Sequence, residues 1–169
     1  MRLTLGPLQY FWPRDRVLEF YRVAATWPVD VIYLGETVCS KRRELRTRDW
    51  IALAEELAGS GREIVLSTLA LIEAESELSS LTRLVDDGRF RVEANDMSAV
   101  QLLRERGVPF IGGPTLNVYN HATLRLLRED GLRRLVLGVE HGRASLEEFH
   151  ASGEPLPEIE IAAWGRLPL

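Results

Sequence analysis

Val31-Ile32-Tyr33-Leu34 and Ile64-Val65-Leu66 are short apolar runs, and between them Trp50, Ala54, Leu57 and Ala58 recur at helical spacing before Gly59. Strand, helix and strand in that order make a βαβ unit, because a parallel partner needs a crossover long enough to hold a helix. The alternation extends in both directions. Further strand candidates are Leu3–Leu5, Phe90–Val92, Phe110–Ile111, Leu135–Leu137 and Ile159–Ile161, at intervals of about 20 to 33 residues. Helical spacing returns at Val17, Phe20, Tyr21 and Ala24, entered through Pro13, and at Leu78, Leu81 and Val85, stopped by Asp87-Gly88. It returns again at Met97, Val100 and Leu103, stopped by Gly107, and after Asn120, stopped by Asp130-Gly131. Thr47 is the expected N-cap of the segment holding Trp50, and Ser145-Leu146-Glu147-Glu148 reads as a capping box opening the last helix. Seven strands and six helices running one way predict an α/β chain, an incomplete (β/α)8 TIM-like barrel of about seven parallel strands. The expected organisation is a single barrel domain over residues 1–169 that stops before its eighth strand. Open first and last strands would then favour association with other chains.

Composition narrows the function classes. With 169 residues, 46% hydrophobic and 27% charged, the chain has an ordinary globular balance. A net charge of −4 offers no general attraction for nucleic acid or anionic lipid. No apolar stretch approaches the length of a membrane span, and the first residues lack the apolar run of a secretion signal, so a cytoplasmic protein is expected. No Gly-x-Gly-x-x-Gly follows the first strand, which removes the commonest sign of a dinucleotide fold. Gly112-Gly113-Pro114 is explained as well by a tight turn as by a phosphate loop. The run Lys41-Arg42-Arg43 with Arg46 and Arg48 is either a solvated loop or a site for an anion or partner.

In a (β/α) barrel the loops after the strands gather on one face and build the site there. The candidates are therefore the polar residues at strand ends. Glu36, Thr37 and Cys39 follow the second strand, and Ser67-Thr68 the third. Glu93, Asn95 and Asp96 follow the fourth, Asn117 and Tyr119 the fifth, and Glu140 and His141 the sixth. Glu36, Glu93 and Glu140 end alternate strands, which in a closed barrel contribute to one layer, so they are candidates to share protons or bind a cation. Against this, Glu93 or Asp96 can simply cap a helix, and Glu140 can pair with an arginine. His141 is the one histidine in a strand-end loop, whereas His121 and His150 fall on helices. The four tryptophans read as packing residues. Cys39 is the only cysteine, which rules out a disulfide within the chain and leaves a bland thiol or a functional one.

Tyr33-Leu34-Gly35-Glu36-Thr37-Val38-Cys39-Ser40-Lys41-Arg42 resembles the signature of the UbiV branch, a non-peptidase branch of the collagenase-like peptidase family. Leu66–Leu71 with Glu73-Ala74-Glu75, Val92–Asp96, Gly113–Asn120 and the closing Gly165-Arg166-Leu167-Pro168-Leu169 match in the same order, so the resemblance covers nearly the whole chain. It implies a barrel-like fold and a heterodimer with the related protein UbiU. It also implies a [4Fe–4S] cluster, with Cys39 as one thiolate ligand and the remaining three beyond residue 169, in a cysteine-rich part that this N-terminal portion lacks. The implied activity is oxygen-independent hydroxylation in ubiquinone biosynthesis, with the ubiquinone ring precursor and prephenate as ligands. Glu36, Glu93, Asn95, Asp96, Asn117 and Glu140 are the candidate catalytic residues, and Cys39 the candidate metal and cofactor ligand. Two other readings stand beside this one: a cluster-independent hydrolase or acid/base enzyme using the strand-end carboxylates, and a non-catalytic structural partner.

Overall fold

The computed structural model describes residues 1–42 and 44–165. Arg43, in the basic run, and residues 166–169, in the closing match, lie outside the described residues. Seven strands alternate with helices, every described pairing is parallel, and strand order follows chain order. The class is α/β, the incomplete (β/α) barrel-like succession expected from the spacing. The chain divides into two compact units, Met1–Glu93 and Ala94 onward.

The first unit runs β1 (Thr4–Leu5), α1 (Arg14–Ala24), β2 (Val31–Leu34), α2 (Thr47–Ala58), β3 (Glu63–Ser67), α3 (Glu75–Asp87) and β4 (Arg91–Ala94, whose last residue opens the second unit). All four residues of β2 are buried, as a parallel strand covered on both faces requires. The register places Tyr33 beside Val65 and Leu34 beside Leu66, and Ser67 beside Glu93. Trp50, Leu53, Ala54 and Leu57 form the buried stripe of α2, and Leu81, Leu84 and Val85 that of α3. Each fully buried leucine of this kind stabilises the fold by about 1.5–3 kcal/mol. Gly88 ends α3 in the left-handed conformation, φ 66°.

Local caps depart from expectation at one helix here. Thr47 is the first residue of α2, not its cap, and Arg46 occupies the N-cap position. The reason is Asp49, whose carboxylate accepts the Arg46 N–H at 2.8 Å while Arg14 of α1 donates to it at 3.1 Å. Tyr21 is fully buried and its hydroxyl accepts the Leu8 N–H at 2.9 Å, which fixes the β1–α1 loop. Burial holds that phenol well above its ordinary value.

The second unit runs from Ala94 through α4 (Met97–Glu105), β5 (Phe110–Gly112), a short 3-10 turn (Pro114–Leu116), α5 (His121–Glu129), β6 (Leu132–Val136), α6 (Arg143–Ala151) and β7 (Glu158–Glu160). The Gly113 N–H donates to the Ala94 carbonyl at 2.8 Å. Gly112-Gly113-Pro114 is thus a strand end entering a tight turn. The strand expected at Leu135–Leu137 lies earlier because of a bulge: Phe110 pairs with Leu132 but Ile111 with Arg134, so Arg133 is the extra residue. The bulge leaves Arg134 buried, its Nε 2.8 Å from Glu158 of β7. The last helix opens two residues before Ser145, with Gly142 at its N-cap, so the expected capping box is not used. Trp164 is 98% exposed and Trp27 38%, so the packing role holds fully only for buried Trp50 among these three. No described helix is long and apolar enough to cross a membrane.

Gly35, just past β2, lies tight against Ser67 at the end of β3. Its φ of 153° disfavours any side chain, and an added Cβ would lie 2.3 Å from the Ser67 carbonyl oxygen. Gly35→Ala is expected to lose about 2–4 kcal/mol of stability, from strained backbone plus that contact. Gly61→Ala, at φ 77° with nothing within 4 Å, should lose about 1 kcal/mol. Urea denaturation of both variants checks this, and equal losses would show that the approach to Ser67 is not the constraint.

Candidate functional site

The first unit presents the loop between β2 and α2. Glu36 Oε1 accepts the Val38 N–H at 2.8 Å and the Cys39 N–H at 3.1 Å, the local turn that short acidic side chains more often make. The Arg42 N–H closes the loop on the Cys39 carbonyl at 3.0 Å. The Arg42 side chain donates to the Gln9 carbonyl at 2.7 Å and lies 3.9 Å from Glu36. The loop thereby leans on the β1–α1 connection, where Glu36 and Arg42 line a small pocket with Tyr10, Phe11, Trp12 and Trp50. On its other side the Ala70 N–H donates to the Thr37 carbonyl at 2.9 Å. Ser40 hydrogen-bonds Glu77, and with the Glu73 and Ala74 N–H groups it holds that carboxyl below its usual range. Cys39 therefore occupies a half-buried position on a loop tied down from both sides. Glu93 of the same unit is buried, 2% exposed, at the end of β4.

The remaining candidates belong to the second unit. Asn95 is buried, and the Thr115 hydroxyl donates to its carbonyl at 2.6 Å and contacts its Oδ1 at 3.2 Å. A Cβ on Gly113 would lie 1.9 Å from that Oδ1, so glycine is needed for the asparagine to fit. Asp96 caps α4, accepting the Ser98 N–H at 2.7 Å. Asn117 takes the left-handed conformation, φ 54°, and accepts from the Tyr119 hydroxyl at 3.2 Å. The Tyr119 hydroxyl also donates to Glu140 Oε1 at 2.6 Å. Beneath Tyr119 the His141 ring stacks at 5.1 Å and 11°. The His141 side chain is 4% exposed, with Nε2 3.0 Å from the Val118 carbonyl oxygen and Nδ1 3.2 Å from that of Gly138.

The structure thus gathers Asn117, Tyr119, Glu140 and His141 into one cluster, and Glu36 and Cys39 into another. The Tyr119 phenol is half exposed; its pKa is raised first by the hydrogen bond to Glu140 and further by partial desolvation, and the same bond holds the Glu140 carboxyl below its ordinary value. A phenol and a carboxylate held together at a strand-end surface can orient a ligand or move a proton. The Tyr119–Glu140 bond was not legible in the sequence, where the two residues stand 21 positions apart in separate loops. Its one signal is that both follow strands on the side where barrel sites form.

A [4Fe–4S] cluster is ordinarily held by four thiolates. The sequence has one cysteine, so this chain's own residues do not fit a complete cluster site. Among the described residues, no three His, Cys, Asp or Glu side chains group as a metal site.

A comparison with family models matches residues 17–169 to peptidase family U32. The chain belongs to peptidase family U32. The match runs from within α1 through β7 and includes both clusters, but not the β1–α1 connection on which the Cys39 loop leans. It agrees with the collagenase-like peptidase family expected from the strand-end blocks.

Tyr119→Phe removes the donor that lowers the Glu140 pKa, so the Glu140 carboxyl is expected to titrate at higher pH in the variant. A carboxyl depressed in the fold contributes stability above its unfolded value and loses it as pH falls through the folded one, so the variant should be less stable than the parent at neutral pH, with the difference closing on acidification. Carbon NMR titration of the glutamate carboxyls checks this. An unchanged Glu140 curve would show that the phenol does not control it.

Proposed function

We propose that this U32 chain is a subunit of an oxygen-independent hydroxylation system in ubiquinone biosynthesis, a UbiV-type protein acting with UbiU. The observation that carries the reading is the Cys39 loop. Its thiol sits in the most distinctive block of the resemblance, and the loop is fixed by Glu36 on two backbone N–H groups and by Arg42 on the Cys39 carbonyl. A ligand loop needs that rigidity, since a metal-binding residue must hold its position before the metal arrives. Cys39 is then one ligand of a [4Fe–4S] cluster, and three thiolates from outside these 169 residues complete it. The ubiquinone ring precursor and prephenate are the proposed ligands, and the cytoplasm the proposed compartment.

One observation favours a second reading. The Tyr119–Glu140 pair is a preformed acid/base arrangement that requires neither cysteine nor iron. In that reading the chain uses its strand-end carboxylates on a small acid or peptide.

Cys39→Ser separates the two. In the full-length protein, purified with UbiU under anaerobic conditions, the variant is expected to lose most of its cluster absorbance and iron, with a tenfold or greater fall in hydroxylated product. Full iron and full product in the variant would overturn the cluster reading. Lost product with Glu140→Gln alone, at normal iron content, would favour the acid/base reading instead.

A further inference from the structure

The half-exposed Glu140 side chain folds back over the chain behind it. An added Cβ at Gly138 would lie 2.3 Å from Glu140 Oε1 and 2.7 Å from both Cδ and Oε2. The carboxylate therefore fills the space that any side chain at position 138 would take. In that place it accepts the Tyr119 hydroxyl at 2.6 Å and its own backbone N–H. The titratable groups against it are Tyr119 and His141, whose Nδ1 lies 3.9 Å from Oε1.

The backbone gives no separate reason for glycine here. Gly138 is not among the glycines with positive φ, so alanine fits its conformation. Gly142, at the N-cap of α6, shows the contrast, since a Cβ there would have nothing within 4 Å. The Gly138 carbonyl has a second task. It accepts the His141 N–H at 3.1 Å and faces His141 Nδ1 at 3.2 Å, while that ring stacks under Tyr119. One residue thus anchors the ring beneath Tyr119 and leaves room for the carboxylate that bonds its hydroxyl.

We propose, building on the acid/base reading of the Tyr119–Glu140 pair, that Gly138 is its positioning residue, through the space it leaves for the carboxylate and the carbonyl it offers to His141. With a side chain at 138, the flexible end of Glu140 swings outward at little cost in stability. The chain then keeps a phenol and a carboxylate that no longer act together.

The test compares the parent protein with Gly138→Ala and Gly142→Ala by carbon NMR titration of the glutamate carboxyls and tyrosine rings. In Gly138→Ala the Glu140 carboxyl is expected to titrate at higher pH and the Tyr119 phenol at lower pH, since each loses the other. Gly142→Ala should match the parent in both. Any stability that Gly138→Ala loses in thermal unfolding should vanish in a Glu140→Ala background, where there is no carboxylate to displace. Unchanged Glu140 and Tyr119 curves in Gly138→Ala would overturn the proposal. So would a loss of stability that persists without the Glu140 carboxylate, because it places the constraint in the backbone. The titrations need no activity, so they decide the placement whether or not Glu140→Gln alters product, which is the separate test of the acid/base reading.

Discussion

The close approach of Gly35 to Ser67 is the constraint from which the first unit's functional surface follows. An added Cβ at Gly35 would sit 2.3 Å from a carbonyl oxygen, a distance that no side chain tolerates. Because glycine stands there, the end of β2 lies flush against the end of β3, and the chain leaves the strand in a direction open to few other residues. The β2–α2 loop is then close enough for Ala70 to donate to Thr37 and for Ser40 to reach Glu77. Those ties decide where Cys39 sits. A bulkier residue at position 35 would push the strand ends apart and release the loop from its second support, whatever the loop's own sequence favoured.

The second unit reaches a comparable rigidity by a different route. Its strand-end loops are joined by side chains rather than by backbone contact: Thr115 on Asn95, Tyr119 on Glu140, and the His141 ring stacked under Tyr119 with both nitrogens against carbonyls. Gly113 serves the side chain of Asn95, not a strained backbone, since its φ is in the ordinary range of extended chain. Where such a network is buried, as at Asn95, an alternative arrangement leaves a donor or acceptor without its partner. His141 is an instance of how residue type alone misleads: it stands in the right loop for chemistry, yet its side chain is covered and both nitrogens face carbonyls, while the half-exposed Tyr119 above it carries the accessible polar group.

Strand and helix order were legible because burial imposes periodicity. Val31–Leu34 is apolar throughout since both faces are covered, and α2 and α3 show their stripes at Trp50, Leu53, Leu57 and at Leu81, Leu84, Val85. What was not legible depends on partners far away in sequence. Arg46 caps α2 because Asp49 is held by Arg14 of another helix, and Thr47 has the better intrinsic capping side chain but not the position. Arg134 is buried within β6 and meets Glu158 of β7, so placing the strand on the apolar run Leu135–Leu137 starts it three residues late. Ser145-Leu146-Glu147-Glu148 has the pattern of a capping box, but Gly142 already opens the helix one turn earlier. The candidate site divides in the same way. Each strand-end residue was identifiable from its place after a strand, but which of them touch was not, because contact between loops is set by strand register and by the loops' own turns.

The lone thiol limits what the chemistry of this chain can be. A half-buried cysteine on a loop fixed at its flanks has two physical explanations: it packs, or it holds something in a defined direction. Packing alone does not require Glu36 to accept two backbone N–H groups or Arg42 to close on the Cys39 carbonyl, because a buried apolar side chain keeps its place through its neighbours. Those bonds fix the backbone instead, and so fix where a ligand atom on position 39 would point. One thiolate is a single donor, however, and cannot by itself oppose the charge of a multinuclear iron centre. The cluster proposed above would therefore need donors besides Cys39, and to it this loop contributes one thiol in a fixed direction.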